Sequence, residues 1–141
     1  FVSGLTSGGA SPASAGDYPD EQLEAAIDTY VRNMQQLNRL ATDRGGKLIV
    51  VLQPAADQLF DTSKNPQVFG QYPKEIYARF RREAAARLEA AGVRVIDANE
   101  YLATVGVEPK DFIDIVHLSP TGHARIAQML AGEGAGIVPP P

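Results

Sequence analysis

Two short apolar runs separated by a helical segment constrain the fold of this chain most strongly. Residues 48–52 (Leu-Ile-Val-Val-Leu) are bounded by a Gly-Gly pair and a proline. A run of this kind predicts a strand that is buried on both faces. Residues 93–97 (Val-Arg-Val-Ile-Asp) predict a second short strand. Because strands that alternate with helices are joined by right-handed crossovers and run parallel, we predict a parallel α/β sheet.

Three segments with helical periodicity accompany the strands. The first begins at Pro19 and ends before Gly45, the second begins at Pro73, and the third begins at Pro120 after Ser119, a favourable N-cap residue. The apolar stripe of the first helix comprises Leu23, Ile27, Tyr30, Val31, Met34, Leu37, Leu40 and Ala41. The second helix carries arginines that we expect to form a solvated face. They are Arg79, Arg81, Arg82 and Arg87.

Two strands are too few for a complete sheet of this class. Open α/β sheets usually have about five or six strands, and two strands would leave at least one apolar edge bare. We therefore expect residues 19–131 to be only the C-terminal part of a doubly wound domain. Residues 1–18 are expected to be a flexible arm and residues 132–141 a Gly/Pro-rich tail. The missing strands should come from another chain or from sequence outside this one.

Composition excludes several classes of function. A chain of 141 residues is about one domain, and its net charge of −4 without a basic stripe argues against a nucleic-acid partner. The absence of cysteine excludes disulfides and thiolate metal sites, and it fits a cytoplasmic or an exported protein, of which we slightly favour the exported one. No apolar run approaches the roughly 20 residues of a transmembrane helix. No signal peptide follows Phe1, so we expect a natural protein that is longer, processed or trimmed.

The strongest chemical signal is Asp114-Ile-Val-His117, in a loop that leads directly into the third helix. In nucleophilic acyl cleavage a hydroxyl attacks, an imidazole takes its proton, and a carboxylate orients the imidazole. The spacing allows Asp114 to bond the Nδ1 atom of His117 and leaves Nε2 facing outward. In open parallel sheets, ligands bind beyond the carboxyl ends of the strands, which is where this loop is predicted. The same spacing also arises by chance, with Asp114 ending a strand and His117 at the surface.

Other chemical readings are weaker. No third ligand stands at a suggestive spacing and no His-Glu-x-x-His pattern occurs, so no metal site is expected. His123 is expected to pack or to form a hydrogen bond rather than to catalyse. Residues 54–72 have turn signals and little periodicity, and we expect a surface excursion whose side chains either line a pocket or simply pack.

The segment from Asp114 to His123 resembles the last sequence block of the SGNH, or GDSL-like, hydrolases. That block reads Asp-x-x-His, a short turn containing proline, and Gly-His leading into a helix. The resemblance covers roughly residues 21–131. It implies a flavodoxin-like three-layer α/β/α fold with a parallel sheet, of which this chain supplies only the C-terminal part. It also implies an esterase, lipase or acyltransferase without cofactor or metal, with His117 as general base and Asp114 as the residue that orients it.

This chain departs from the family pattern at the nucleophile. The family's serine lies in a Gly-Asp-Ser block after the first strand, and its oxyanion hole uses that serine amide, a glycine and an asparagine; none of these blocks is present here. We expect none of six serines to be the nucleophile: Ser3, Ser7, Ser11, Ser14, Ser63 and Ser119. The nucleophile is therefore predicted on a companion N-terminal chain or segment.

The substrate and two rival functions stay open. The resemblance implies a small-molecule acyl ester, with lipids and acylated carbohydrates included. A first alternative is a non-catalytic SGNH-like module, an inactive relative that binds a carbohydrate or another protein. A second alternative is an acid/base site that needs no serine and uses Asp111 together with Asp114 and His117.

Overall fold

The computed structural model describes residues 19–65, 68 and 74–134. These residues form a mixed α/β unit that is mostly helical around a two-stranded sheet. Its elements are α1 (Asp20–Thr42), β1 (Ile49–Leu52), α2 (Ala56–Leu59), a 3₁₀ turn (Thr62–Lys64), α3 (Lys74–Ala90), β2 (Arg94–Asp97), α4 (Ala98–Val105), a second 3₁₀ turn (Pro109–Asp111) and α5 (Pro120–Gly134). The predicted arm lies outside the described residues. Helix α5 continues three residues into the predicted tail, and the rest of that tail also lies outside them.

Strands β1 and β2 are parallel, as the sequence predicts, with Val50 opposite Val95 in the register. Within the described ranges, β1 pairs with β2 along one edge and has no partner along the other. The prediction that β1 is buried on both faces is wrong. Val50 and Leu52 are buried, but Ile49 and Val51 are only half-buried. The two faces differ because helices cover only one of them completely.

Helices α1 and α3 cover the buried face of β1. Ile27 of α1 and Leu88 of α3 are fully buried there, and burying such a side chain contributes about 1.5–3 kcal/mol. Tyr30 and Phe80 meet edge to face, with ring centroids 5.3 Å apart. This cluster consists of Leu23, Ile27, Val31, Val50, Leu52, Ala84, Leu88 and Val93. The predicted stripe of α1 is therefore confirmed in its first half, whereas Leu37 and Leu40 are about half exposed.

The arginines of α3 are not a simple solvated face. Arg79 and Arg87 reach across to α1, and Glu24 bonds both of them, at 2.5 Å and 2.8 Å. Arg81 contradicts the prediction most clearly, because it is nearly buried and paired with Asp97. A guanidinium tolerates such a position only when a carboxylate accompanies it. Arg82 is exposed as predicted. None of the helices in the described ranges combines the length and the apolar character needed to cross a bilayer.

A second apolar cluster lies beyond the carboxyl ends of the strands. It joins α2, α4 and the segment before α5, and its buried members are Ala56, Leu102, Phe112 and Leu118. Phe60 packs edge to face on Phe112, with centroids 5.8 Å apart. The described part of the predicted excursion is thus structured, and its apolar side chains pack in this cluster. The cluster supports the loop that carries Asp114 and His117.

Candidate active site

The segment between Phe112 and Leu118 is a closed loop. These two residues form an isolated antiparallel bridge. Above it, the backbone N–H of Ile113 donates to the carbonyl oxygen of His117 at 2.7 Å. Phe112 and Leu118 are buried, whereas the Ile113 side chain is largely exposed. The loop is therefore fixed at its base by apolar packing and directs its tip toward solvent.

Asp114 organises the inside of this loop. Its Oδ1 atom accepts the backbone N–H groups of Val116 at 2.9 Å and His117 at 2.8 Å. Its Oδ2 atom lies 2.7 Å from Nδ1 of His117. The Val116 amide, the His117 amide and the imidazole together lower the pKa of Asp114 to about 2. The carboxylate is thus ionised at neutral pH, and it favours the tautomer of His117 in which Nδ1 carries the proton.

This tautomer leaves Nε2 of His117 as the basic nitrogen. The His117 side chain is 70% exposed, so an incoming group can reach that nitrogen. The structure thus brings together the two predicted site residues in the orientation that a carboxylate-imidazole pair needs for proton transfer. The geometry leaves Nε2 of His117 accessible from solvent and its Nδ1 atom paired with Asp114.

A groove of about 570 Å³ opens beside the pair, next to the carboxyl end of β1. It is mainly apolar, with Val51, Pro54 and Ile126 among its lining residues. His117 and the exposed His123 of α5 also line it. The loop therefore lies at the end of the strands where parallel sheets bind ligands, as predicted.

The start of α5 explains two residues of the Ser-Pro-Thr-Gly-His segment. The hydroxyl of Ser119 accepts the Gly122 N–H at 3.3 Å and contacts the Thr121 hydroxyl at 2.8 Å, so Ser119 acts as the predicted N-cap. A Cβ atom on Gly122 would lie 2.1 Å from the carbonyl oxygen of Asp111. Only glycine permits this close approach between α5 and the turn before the loop.

Asp111 does not belong to the site. It is fully buried, accepts the Glu108 N–H at 2.9 Å and pairs with Arg125 at 3.2 Å. Burial acts to raise the pKa of Asp111, but the Glu108 amide, the Thr121 hydroxyl and Arg125 outweigh it and hold the pKa below its usual value. The alternative acid/base site that uses Asp111 with His117 is therefore not supported, because this carboxylate is fully buried and its Oδ2 atom is paired with Arg125.

The described residues offer no nucleophile to His117. The hydroxyl of Ser63 donates to Asp61 at 2.5 Å, and that of Ser119 is used in capping. No hydroxyl within residues 19–65, 68 and 74–134 bonds the imidazole of His117. The serines at positions 3, 7, 11 and 14 lie outside the described residues. In the same described ranges, no group of three or more His, Asp or Glu side chains is placed to hold a metal ion.

Sequence reasoning missed the residues that hold the loop against the sheet. Nε2 of Gln53 donates to the carbonyl oxygen of Val116 at 2.7 Å, and the N–H of Ala56 donates to that of Ile115 at 2.8 Å. The one signal in the sequence was the position of Gln53, a polar residue immediately after an apolar strand. Nothing in the sequence indicates that its partner is a backbone carbonyl 63 residues away.

Comparisons with known proteins add no further constraint: no protein-family model matches this sequence, and no curated protein matches it. The chemistry of the site therefore has to be inferred from its geometry.

Proposed function

We propose that this chain supplies the proton-transfer half of a serine-type ester hydrolase or acyltransferase. His117 is the general base, and Asp114 orients it. The single observation that carries this proposal is the 2.7 Å contact between Oδ2 of Asp114 and Nδ1 of His117, made by a carboxylate that two backbone amides already hold in place. The two amides bond Oδ1 of Asp114, so Oδ2 is held in the position where it meets the imidazole.

The chemistry follows the acyl-transfer sequence of a catalytic triad. A serine hydroxyl gives its proton to Nε2 of His117 while its oxygen attacks the acyl carbon of the ester. The imidazolium, stabilised by ionised Asp114, returns the proton to the departing alcohol. The oxygen of water, or of an acceptor alcohol in a transferase, then attacks the acyl carbon while its proton passes to the same nitrogen. The bond between the acyl carbon and the serine oxygen breaks, and the imidazolium returns the proton to that oxygen. Neither half-reaction requires a metal or an organic cofactor.

The serine is proposed to come from a companion N-terminal chain or segment, in a domain of the SGNH type with a three-layer α/β/α fold. Three features support this part of the proposal. One edge of β1 has no partner among the described residues; Ile49 and Val51 are half-buried; and Ile113, beside the pair, is 62% exposed. A bare strand edge is a ready template for pairing with another strand, and an exposed apolar patch marks a surface that another element can cover.

The proposed substrate is a small-molecule acyl ester, a class that includes lipids and acylated carbohydrates. Support comes from the groove beside His117, whose lining is mainly apolar. An acyl group placed there would be removed from water next to the base. This assignment names the reacting bond and leaves the alcohol portion open.

A second candidate function is a non-catalytic module that binds a carbohydrate or another protein. It is favoured by one observation, the absence within the described residues of any hydroxyl bonded to His117. A companion segment without a serine near His117 would leave a polar pair beside an apolar groove, which is a binding site and not a catalytic one.

The test uses the natural gene product with all flanking sequence. We expect a fluorophosphonate probe to label one serine outside residues 19–131, and p-nitrophenyl acetate to be cleaved. Replacing His117 by alanine should reduce cleavage by about 10⁴- to 10⁶-fold, since triad members act as a unit. Mass spectrometry of the labelled peptide and initial rates of hydrolysis are the two measurements.

Three outcomes would contradict the proposal. Full activity in His117→Ala rejects the assignment of the base. Loss of activity in His123→Ala, with His117→Ala active, transfers the role to the other histidine of the groove. Absence of both labelling and cleavage in the folded natural protein supports the non-catalytic module instead.

A further inference from the structure

A four-residue segment ties the loop of Asp114 and His117 to the sheet. Residues 53–56 run from the end of β1 to the first residue of α2, and two hydrogen bonds to the loop start within them. Gln53 bonds the carbonyl of Val116, and Ala56 bonds the carbonyl of Ile115. These two carbonyls lie between Asp114 and His117 in the chain. The orientation of the pair therefore depends on where this segment, called here the tether, is held.

Asn99 holds the tether. It is 4% exposed and uses both ends of its side-chain amide. Its Oδ1 atom accepts the N–H of Ala55 at 2.9 Å. Its Nδ2 group donates to the carbonyl of Gln53 at 3.3 Å and to Oδ1 of Asp97 at 3.1 Å. A buried amide whose donors and acceptor are all used fixes its partners firmly.

Asn99 is in turn held by residues of β2 and α3. Asp97 ends β2, accepts the backbone N–H of Asn99 at 2.9 Å and pairs with Arg81. The hydroxyl of Tyr77 donates to the carbonyl of Gln53, and burial raises the pKa of Tyr77 to about 12, so this donor keeps its proton at neutral pH. A continuous set of hydrogen bonds thus leads from α3 and β2 through Asn99 and the tether to the loop.

We propose that Gln53 and Asn99 are positioning residues for His117. The inference rests on the proposed role of His117 as general base and adds that its orientation is set from the sheet. Neither residue bonds the imidazole or the Asp114 carboxylate. Ile113 and His117 in this loop are mostly exposed. Ile115 packs on the second apolar cluster, and the tether supplies the hydrogen bonds that join Ile115 and Val116 to the end of β1 and the start of α2. Displacing such a loop by about 1 Å is enough to reduce turnover by about 10²-fold.

The test replaces Gln53 by glutamate, which keeps the size of the side chain but removes the N–H donor. The measurement is the ¹⁵N spectrum of the His117 imidazole, recorded at a pH where the imidazole is uncharged. The wild-type chain should show mainly the Nδ1–H tautomer that Asp114 selects, and Asp114→Asn should lose that preference. Gln53→Glu should shift the population toward the Nε2–H tautomer, as a misaligned pair requires.

Gln58→Glu is the matched control. Nε2 of Gln58 also donates to a backbone carbonyl, that of Lys74 at 3.0 Å. Its Oε1 atom contacts Arg81 at 3.4 Å, an acceptor that glutamate retains, and neither end of its side chain bonds the tether or the loop. We expect its imidazole spectrum to match that of the wild type, even if thermal stability falls equally in both variants. Asn99→Ala should show the same shift in the tautomer population of His117. Because Asn99 is buried whereas Gln53 is exposed, the Gln53 variant alone tests the proposal if Asn99→Ala does not fold.

In the natural gene product, Gln53→Glu should lower kcat for p-nitrophenyl acetate about 10- to 100-fold while KM changes little. An unchanged tautomer population in Gln53→Glu overturns the proposal, and so does an equal shift in Gln58→Glu. A tautomer shift in a protein whose serines are not labelled by the fluorophosphonate rejects the hydrolase but keeps the positioning of His117. Serine labelling without a tautomer shift keeps the hydrolase but rejects the positioning role of Gln53. The failure of one proposal can therefore be told from the failure of the other.

Discussion

The two faces of β1 have opposite characters. On the closed side, α1 and α3 bury Val50, Leu52 and Leu88, and ion pairs between the helices span the surface. On the open side, Val51 lines a groove, and Ile113 and Leu130 are exposed. The closed side is a packed core, whereas the open side carries apolar surface beside the Asp114–His117 pair. The packed core and the proposed site therefore lie on opposite faces of a single strand.

Charge follows the same division. On the closed side, Arg79 and Arg87 are each surrounded by carboxylates, and every such contact neutralises a charge. On the open side, the Asp114 carboxylate contacts the His117 imidazole at 2.7 Å. The first arrangement pairs guanidinium groups with carboxylates, whereas the second is the pair to which we assign proton transfer. This difference predicts where substitutions will affect activity and where they will affect folding.

The largest expected effect is on the open side. Asp114→Asn should lower kcat for ester cleavage by the natural gene product by about 10⁴-fold, because the amide no longer selects the productive tautomer of His117. Asp61→Asn is the matched control, since Oδ1 of Asp61 accepts the Ser63 N–H at 3.0 Å in a similar local turn without a histidine. We expect this control to retain activity. A comparable loss in both variants would mean that the turn, and not the pair with His117, matters.

The next effect separates the two sides by stability. Leu88→Ala on the closed side should lower the free energy of unfolding by about 2–5 kcal/mol, because it opens a cavity in a fully packed core. Leu130→Ala on the open side should cost about 1 kcal/mol or less, since that side chain is 42% exposed. Urea denaturation followed by circular dichroism measures both. Equal losses would show that the open side is as well packed as the closed one.

Gly122→Ala tests how closely α5 approaches the turn before the loop. The added methyl group would overlap the Asp111 carbonyl, so the helix must move and stability should fall by about 1–3 kcal/mol. Gly132→Ala is the control, because no atom lies within 4 Å of its added Cβ. The difference in unfolding midpoint between the two variants is the measurement. A Gly122 variant as stable as the Gly132 variant would contradict the close approach.

The smallest effect is a pH dependence. The pKa of Asp114 is lowered from 3.8 to about 2, so its contribution to stability is present above pH 3.8 and is lost as the pH falls toward 2. The wild type should therefore exceed Asp114→Asn in unfolding midpoint at neutral pH, and the difference should disappear near pH 2. A difference that persists there would show that the carboxylate acts through packing and not through its charge.

Much of the local structure could be predicted from the sequence. Proline and glycine punctuation located the helices to within a few residues, and Ser119 was identified as a cap. The parallel order of the strands followed from their alternation with helices. Burial was harder to predict: Leu37 and Leu40 continue the apolar stripe of α1 but are exposed, because a stripe indicates which face is apolar and not what covers it.

The same limit applies to the site. The spacing of Asp114 and His117 predicted their contact, since residues three apart in a tight loop can share one side. Gln53 and Asn99 were not predicted, because their partners lie 63 and 44 or more residues away for the bonds that matter. Arg81 was assigned to solvent because its neighbours are charged, yet its side chain is mostly buried and pairs with Asp97.

The sequence by itself determined the three long helices, the two strands, their order and the acid-imidazole pair, because each depends on spacing within a few residues. Only the tertiary structure decided that one face of β1 is closed and the other open. It also decided that Asp111 is withdrawn from the site, and that the loop is tied to the strand end through Asn99. Those outcomes depend on hydrogen bonds to backbone carbonyls and on side-chain packing between segments that are far apart in the sequence. A local residue pattern does not indicate such contacts.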